Sequence, residues 1–263
     1  MYSIVENHSE FIVVSKQHDV CIHTEDNELG VIAQLKKDLQ LPDLFPVHRL
    51  DKVTSGLLLC AKNKAAASEL SQLFQERKVE KYYLAVSDKK PKKKQGLISG
   101  DMEKARRGSW KLCHSNHNPA VTQFFSAALT GGQRLFLLKP STGKTHQLRV
   151  ALKSIGSPIW GDRLYGHPLT RDEGICLHAY ILGFEYQGQQ YRYQQAPSHW
   201  QDIDWVSVNN GRKGASDVKN NVETEVANAQ QALAALVFDQ PWELAWPSVP
   251  LTLVSTKPSA RQS

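Results

Sequence analysis

The sequence predicts an α+β fold, and two features of the chain indicate it. Segments with the apolar patterns typical of strands follow one another over residues 120–193. Earlier, the apolar run 57–61 is followed by apolar residues at helical spacing up to about residue 76, so a strand leads into a helix. Many strands with few helices between them are typical of an α+β fold.

Periodicity and turn residues predict the individual elements in order. The predicted strands are residues 3–5, 11–16, 57–61, 79–86, 120–124, 134–138, 180–186 and 191–193. The predicted helices are residues 28–39, 63–76, 145–156 and 221–236. Asn63 and Thr145 are expected to cap the second and third of these helices, because a side-chain oxygen there can accept a hydrogen bond from the first turn.

Composition limits the class of protein. A chain of 263 residues with 41% hydrophobic content can bury the core of one large domain or two small ones. The apolar run 11–14 is too short for a signal peptide or a membrane span, so we expect a cytoplasmic protein without a membrane partner. The four cysteines lie far apart with no C-x-x-C pair. We therefore expect neither a disulfide framework nor a metal site.

The positive charge is concentrated in one segment. The chain carries a formal charge of +6, and residues 88–111 hold nine cations against three acids. Such clustering fits a phosphate backbone as partner, but it also fits a solvated charge run in a loop. The charge count alone favours these two interpretations equally.

One loop carries an acid in an unusual setting. Asp51 lies between Arg49 and Lys52 in a segment that begins at Pro46 and ends at Gly56, before the apolar run. Opposite charges on both sides favour the ionised carboxylate, which suits a nucleophile or an electrostatic group. An isolated Asp-Lys pair is more often an ordinary surface ion pair. The surrounding string is His48-Arg49-Leu50-Asp51-x-x-Thr54-Ser55-Gly56-Leu57-Leu58-Leu59.

That string resembles the signature of the RluA-type pseudouridine synthase family, which isomerises uridine to pseudouridine in structured RNA. Lys81-x-Tyr83-x-Ala85 resembles the second family motif, in which the aromatic hydroxyl lies beside the flipped base. The stretch from Thr142 to Arg149 resembles the third, whose final arginine pairs with the catalytic aspartate. Gly143-Lys144-Thr145 within it is not a nucleotide-binding P-loop, because Leu138 stands where that motif needs a glycine.

The resemblance implies a fold and a reaction. The fold is a mixed, largely antiparallel central sheet flanked by helices, with a central catalytic cleft. The reaction is the isomerisation of a specific uridine without any cofactor. Asp51, Tyr83 and Arg149 are the implied catalytic residues, and Arg49 helps to fill the space that the uridine leaves. Asp51 acts at the ribose either by attacking C1′ or by promoting proton loss at C2′, and the sequence leaves both routes open.

We expect structured RNA, either tRNA or rRNA, as the partner of a monomeric enzyme. The candidate RNA-binding residues are Arg49, His48, Lys81, Lys89, Lys90, Lys92, Lys93, Lys94, Arg106, Arg107, Lys144 and His146. Two other functions stay open. One is a non-catalytic RNA-binding or RNA-folding protein on the same fold, and the other is a hydrolase that uses Asp51 on a nucleoside bond.

The chain is expected to contain one catalytic domain and a tail. Residues 1–205 form the catalytic domain, 206–221 a linker, and 222–263 a helix followed by a tail with prolines and tryptophans that packs on the core or binds a partner. The domain begins almost at once, so we expect a stand-alone catalytic domain without an N-terminal S4 domain. Lys16, which ends the second strand, matches the lysine of a family Asn-Lys-Pro stretch and is expected near the Asp51 loop.

Overall fold

A computed structural model describes residues 1–25, 28–166, 174–200 and 240–250 of the chain. Twelve strands occur in these residues, ten of them in one sheet. They are β1 (Tyr2–Asn7), β2 (Phe11–Lys16), β3 (Phe45–Pro46), β4 (Ser55–Ala61), β5 (Glu80–Ser87), β6 (Gln95–Gly100), β7 (Met102–Lys104), β8 (Trp110–Leu112), β9 (Ala120–Ala128), β10 (Arg134–Pro140), β11 (Leu177–Tyr186) and β12 (Gln189–Gln194).

The sheet is mixed and largely antiparallel, which confirms the predicted fold class. Its order is β1-β2-β4-β11-β5-β10-β9-β6, with β3 paired to β4 and β12 paired to β11. The pairing of β4 with β11 is parallel, and the other pairings within this sheet are antiparallel. The short strands β7 and β8 form a separate hairpin.

Three α-helices accompany the sheet in the described residues: α1 (Val31–Asp38), α2 (Lys64–Gln75) and α3 (Gln147–Ser154). Asn63 caps α2 as predicted, since its side chain accepts a hydrogen bond from the Ala66 N–H at 2.9 Å. The predicted cap at Thr145 is wrong. The chain passes through a left-handed residue at His146 (φ 58°), so α3 begins only at Gln147, whose Oε1 accepts from the Lys144 N–H.

The Asp51 loop is attached to the centre of the sheet at both ends. It leaves from β3, which pairs with the far end of β4, and it returns directly into β4. At the junction Gly56 has φ +104° and faces Ala179 of β11, and a side chain at this position would overlap the Ala179 carbonyl. Glycine is therefore required where the parallel pairing begins, and the loop is held over the middle of the sheet.

The two faces of β5 have different surroundings. Tyr82 is fully buried on one face, while Tyr83 lies on the opposite face, as strand alternation predicts. Trp246 covers the Tyr82 face, with ring centroids 5.7 Å from Tyr82 and 4.8 Å from Phe125. Of the two alternatives for the tail, residues 240–250 therefore pack on the core.

The predicted linker and most of the predicted C-terminal helix and tail lie outside the described residues. Within the residues that are described, no helix is both long enough and apolar enough to cross a membrane.

Candidate active site

A cleft of about 610 Å³ opens between the Asp51 loop, the start of β5 and the loop that joins β10 to α3. Its lining includes all three residues that the sequence proposes as catalytic, which are Asp51, Tyr83 and Arg149. Asp51 is the only acid among the described residues that line this cleft. The fold thus brings together three motifs that are far apart in the sequence.

Arg149 joins two carboxylates at the base of the cleft. Its Nε and Nη2 donate to Oδ2 and Oδ1 of Asp162 at 2.8 and 2.9 Å, a bidentate pair. Its Nη1 lies 3.5 Å from Oδ2 of Asp51. The expected Asp51–Arg149 contact is therefore present, but it is the longer of the two, and Asp162 is the main partner of the arginine.

The Asp51–Arg149–Asp162 network is largely buried, which keeps its side chains in fixed positions. The side chains of Arg149 and Asp162 are 7% and 0% exposed, while that of Asp51 is 19% exposed toward the cleft. Burial alone would lower the pKa of Arg149, but the hydrogen bond to Asp162 and the charges of Asp162 and Asp51 raise it. Arg149 thus remains a cation and presents a fixed positive charge to Asp51.

Sequence reasoning missed the role of Asp162. This residue lies thirteen positions beyond Arg149, in a glycine-punctuated loop without a local pattern that connects the two. Gly161 precedes it with φ +81°, and a side chain there would overlap the Gly174 carbonyl. Asp162 Oδ1 also accepts hydrogen bonds from the Leu164 and Tyr165 N–H groups. The signal available in the sequence was only the pair Gly161-Asp162.

Tyr165 is a second missed residue of the site. Its ring lies 4.9 Å from the guanidinium carbon of Arg149, a cation–π distance. Its hydroxyl accepts from the Trp110 N–H and lies within hydrogen-bonding distance of His146 Nδ1, both at 2.8 Å. Tyr165 therefore connects the β7–β8 hairpin with α3 beside the cleft.

Tyr83 lines the cleft and packs against two parts of the core. Burial, and after it the negative charge of Asp51, raise the pKa of the Tyr83 hydroxyl above its usual value. The phenol is therefore neutral at physiological pH and can donate a hydrogen bond into the cleft.

Lys16 is hydrogen-bonded to the Asp51 loop. It is 1% exposed, and its Nζ donates to the carbonyls of Gln17, Val20 and Lys52 at 2.9, 2.8 and 2.9 Å. Burial lowers its pKa to about 8, although nearby groups including Asp51 oppose that shift. The bond to the Lys52 carbonyl reaches the residue after Asp51, which agrees with the expected position of Lys16.

The two cations that flank Asp51 in sequence face different ways. Arg49 is exposed and lines the cleft. Lys52 instead lies 3.5 Å from Glu28, and both side chains are mostly exposed. The charge that holds Asp51 therefore comes from Arg149 on a distant helix and not from both sequence neighbours.

The candidate RNA-binding residues fall into three places. His48, Arg49, Lys81, Lys144 and His146 line the cleft. Lys89 to Lys94 belong to the loop between β5 and β6, outside the cleft lining, and Arg106 and Arg107 form the exposed turn of the β7–β8 hairpin. Their contacts with RNA stay predictions.

His48 has a structural environment within the cleft wall. Its ring stacks on Phe74 with centroids 4.6 Å apart, and its Nε2 accepts a hydrogen bond from the Leu59 N–H at 2.9 Å. Burial, and then the charge of Lys81, lower its pKa to about 3. The imidazole is therefore neutral and fastens the loop to β4.

Across the described ranges, no group of three or more His, Cys, Asp or Glu side chains is arranged to hold a metal ion.

Comparisons with known proteins show the family of this chain. Residues 10–154 match the family model described as RNA pseudouridylate synthase. An uncharacterized RNA pseudouridine synthase of Haemophilus influenzae is 53% identical over 183 residues, covering 70% of this chain and 82% of that protein. The dual-specificity RNA pseudouridine synthase RluA of Escherichia coli is 35% identical over 164 residues, or 60% and 74% of the two chains.

A solved structure is also similar. Human RNA pseudouridylate synthase domain containing 1 superposes with a TM-score of 0.65 and 27% identity, covering 88% of this chain and 95% of that one. The family match includes Asp51, Tyr83 and Arg149 but ends before Asp162.

Proposed function

The chain belongs to the RNA pseudouridylate synthase family and is therefore an RNA pseudouridine synthase, an isomerase, and from this premise we propose that Asp51 is its catalytic carboxylate. The substrate is one specific uridine of a structured RNA, either tRNA or rRNA. The observation that carries the proposal is the position of Asp51. It is the only acid among the described lining residues of the cleft, and it faces a buried arginine that a second carboxylate holds in place.

The substrate must enter the cleft as an unstacked nucleotide. Extruding a base costs a few kcal/mol, and contacts with the protein must offset that cost. Arg49 is exposed at the cleft and can occupy the space that the uridine leaves in the RNA. The remaining lining cations provide charge for the RNA backbone.

Asp51 then acts at the ribose of the bound nucleotide. Either its carboxylate attacks C1′ as the bond from C1′ to N1 breaks, or it promotes loss of the C2′ proton, and both routes detach the base. The base turns and forms a new bond from C5 to C1′. On the first route this bond displaces the Asp51 carboxylate from C1′, and on the second route C2′ regains the proton that Asp51 removed. The C5 proton leaves and N1 gains a proton, so the product has the same mass as the substrate. The neutral Tyr83 hydroxyl lines the cleft, which supports the proposal that Tyr83 lies near the C5 proton of the bound base.

The test of Asp51 uses tRNA and rRNA transcripts that carry tritium at uridine C5. The wild-type enzyme is expected to release tritium, and Asp51→Ala is expected to release none above the background of RNA alone, because no other described lining acid can replace the carboxylate. Asp43→Ala is the matched control, since Asp43 is exposed and lies outside the cleft lining.

Equal tritium release by the wild type and Asp51→Ala would remove Asp51 from the mechanism. Free uracil among the products would indicate hydrolysis in place of isomerisation. Mapping pseudouridines in RNA from cells that lack the protein identifies the target RNA and uridine.

We also propose residues 1–205 as the catalytic domain, 206–221 as a linker and 222–263 as the tail. Residues 240–250 of that tail cover the sheet face opposite the cleft. As the sequence leads us to expect, we place the enzyme in the cytoplasm as a monomer.

A further inference from the structure

The catalytic cleft has a second charged region beside the Asp51 site. Arg77, Lys81 and Lys144 all line it, and Asp51 is the only acid among the described lining residues. Arg77 has no counterpart in the three sequence motifs described above. This basic region therefore requires an explanation separate from the Asp51–Arg149–Asp162 network.

Three different elements supply these cations. Lys81 lies on β5 two residues before Tyr83, so both side chains face the cleft at positions about 7 Å apart along the strand. Arg77 follows the end of α2 in a left-handed conformation, with φ +60°. Lys144 belongs to the opposite wall, where its Nζ donates to the Asn118 carbonyl. Lys81 is thus adjacent to Tyr83, which the proposed function places near the base.

The surroundings of Lys81 do not neutralise its charge. Its ammonium lies 5.7 Å from the centroid of the Phe74 ring, and it forms no ion pair with any carboxylate of the described residues. Burial, and then the charge of Arg77, lower its pKa. A partly buried lysine beside a second cation is unfavourable unless an anion joins them.

The positive charge of Arg77 also acts on Lys144, across the cleft. Burial lowers the pKa of Lys144, Asp101 opposes that shift, and Arg77 adds to it. The charge of Arg77 therefore acts on a lysine of each wall. An anion between the walls would be attracted by all three side chains, whereas ordinary surface lysines would extend separately into solvent.

We propose that Arg77, Lys81 and Lys144 form a phosphate-binding subsite that holds one backbone phosphate of the RNA strand next to the target uridine. The guanidinium of Arg77 can donate two parallel hydrogen bonds to phosphate oxygens, and the two ammonium groups add charge. The subsite rests on the proposed function and adds to it by stating how the strand is held while the base enters the Asp51 site.

The test compares two substitutions at neighbouring positions, each of which removes one positive charge. Arg77→Asn replaces the cation by a neutral residue that tolerates the left-handed backbone at this position. Lys78→Asn is the matched control, because Lys78 is 65% exposed, pairs with Glu76 and does not line the cleft. The probe is a transcript chosen from a pool of tRNAs and rRNA segments as the one that the wild type binds most tightly.

In tritium release from this transcript, Arg77→Asn is expected to raise KM about tenfold and to leave kcat within about twofold. The slope of log affinity against log salt should become shallower by about 0.7, the value for one contact to a single strand. Arg77→Lys should restore part of both effects, since it keeps the charge but not the paired donors. Lys78→Asn should behave as the wild type.

Iodine cleavage of phosphorothioate-containing RNA provides a readout that does not depend on turnover. The wild type should protect a phosphate within about two nucleotides of the converted uridine, and Arg77→Asn should lose that protection. Unchanged protection, KM and salt slope in Arg77→Asn would overturn the subsite while leaving the isomerase intact. If the wild type released no tritium, a phosphate that the wild type protects and Arg77→Asn does not protect would still support the subsite, and it would reject the proposed role of the cleft in isomerisation.

Discussion

The ion network at the cleft base and the lysine run at 89–94 show two different uses of charge. Arg149 and Asp162 are almost fully buried, and each charge has a partner at a defined distance. The five lysines of the run are exposed, and none forms an ion pair within the described parts of the chain. A net charge of +6 therefore does not identify the important cations. Burial decides which cations fix the positions of neighbouring side chains and which remain available to bind a polyanion.

The largest effect is expected when the buried network is broken. Asp162→Asn keeps the shape of the side chain but removes the charge that pairs with Arg149. Because breaking a buried pair leaves an uncompensated charge, we expect a loss of about 3 kcal/mol in the free energy of unfolding. Tritium release should fall about 100-fold, since Arg149 no longer holds its position beside Asp51. Urea unfolding and the tritium assay measure both quantities.

Glu80→Gln provides the control for an exposed ion pair. Glu80 lies 3.0 Å from Arg192, and the two side chains are 39% and 46% exposed. Solvent screens such a pair, so its loss should cost less than about 1 kcal/mol. If Asp162→Asn were no more damaging than Glu80→Gln, the buried network would not be the element that organises the site.

The second effect concerns a buried histidine and its response to pH. His178 is 2% exposed, with Nδ1 2.8 Å from Ser55 Oγ and Nε2 2.8 Å from the Gln195 carbonyl. Burial lowers its pKa to about 4, and the hydrogen bond to Gln195 opposes that shift. Since the folded pKa is below the unfolded value of about 6.5, the unfolded chain binds the proton first as pH falls.

The stability that neutral His178 provides is therefore complete above pH 6.5 and is lost toward pH 4. The loss is about 3 kcal/mol over this range. Urea unfolding at a series of pH values should show a shallower slope for His178→Asn than for the wild type. His114→Asn, at an exposed histidine, should keep the wild-type slope. Equal slopes in all three proteins would contradict the proposed effect of burial.

The smallest effect on the folded protein is expected in the lysine run. Reversal of Lys92 and Lys93 to Glu should change the free energy of unfolding by less than about 0.5 kcal/mol, because these side chains are exposed. If the run contacts RNA, binding should weaken and its salt dependence should flatten. Filter binding over a salt series measures both.

Reversal of Lys37 and Lys64, two exposed helix lysines outside the cleft lining, is the control of equal charge. A salt slope that is the same for both double variants would show that the run is only solvated surface. A slope that changes only for Lys92 and Lys93 would identify the run as a second RNA contact outside the cleft.

Sequence alone was sufficient for the features that depend on neighbouring residues. Strand alternation placed Tyr82 and Tyr83 on opposite faces of β5, and an asparagine before an apolar stripe predicted the cap of α2. The start of α3 was wrong because capping rules consider the side chain of Thr145 but not the left-handed turn at His146. Local rules fail where a more distant constraint sets the backbone.

The motif strings of Asp51, Tyr83 and Arg149 indicated the family and the mixed sheet, since each string requires residues only within a few positions of one another. The tertiary structure alone showed that Arg149 pairs chiefly with Asp162, that Lys52 faces Glu28, and that Arg77 joins Lys81 and Lys144 in one cleft. These contacts depend on strand order and on close approaches at glycines. A charge acts through distance and burial, and neither quantity is contained in the spacing of residues along the chain.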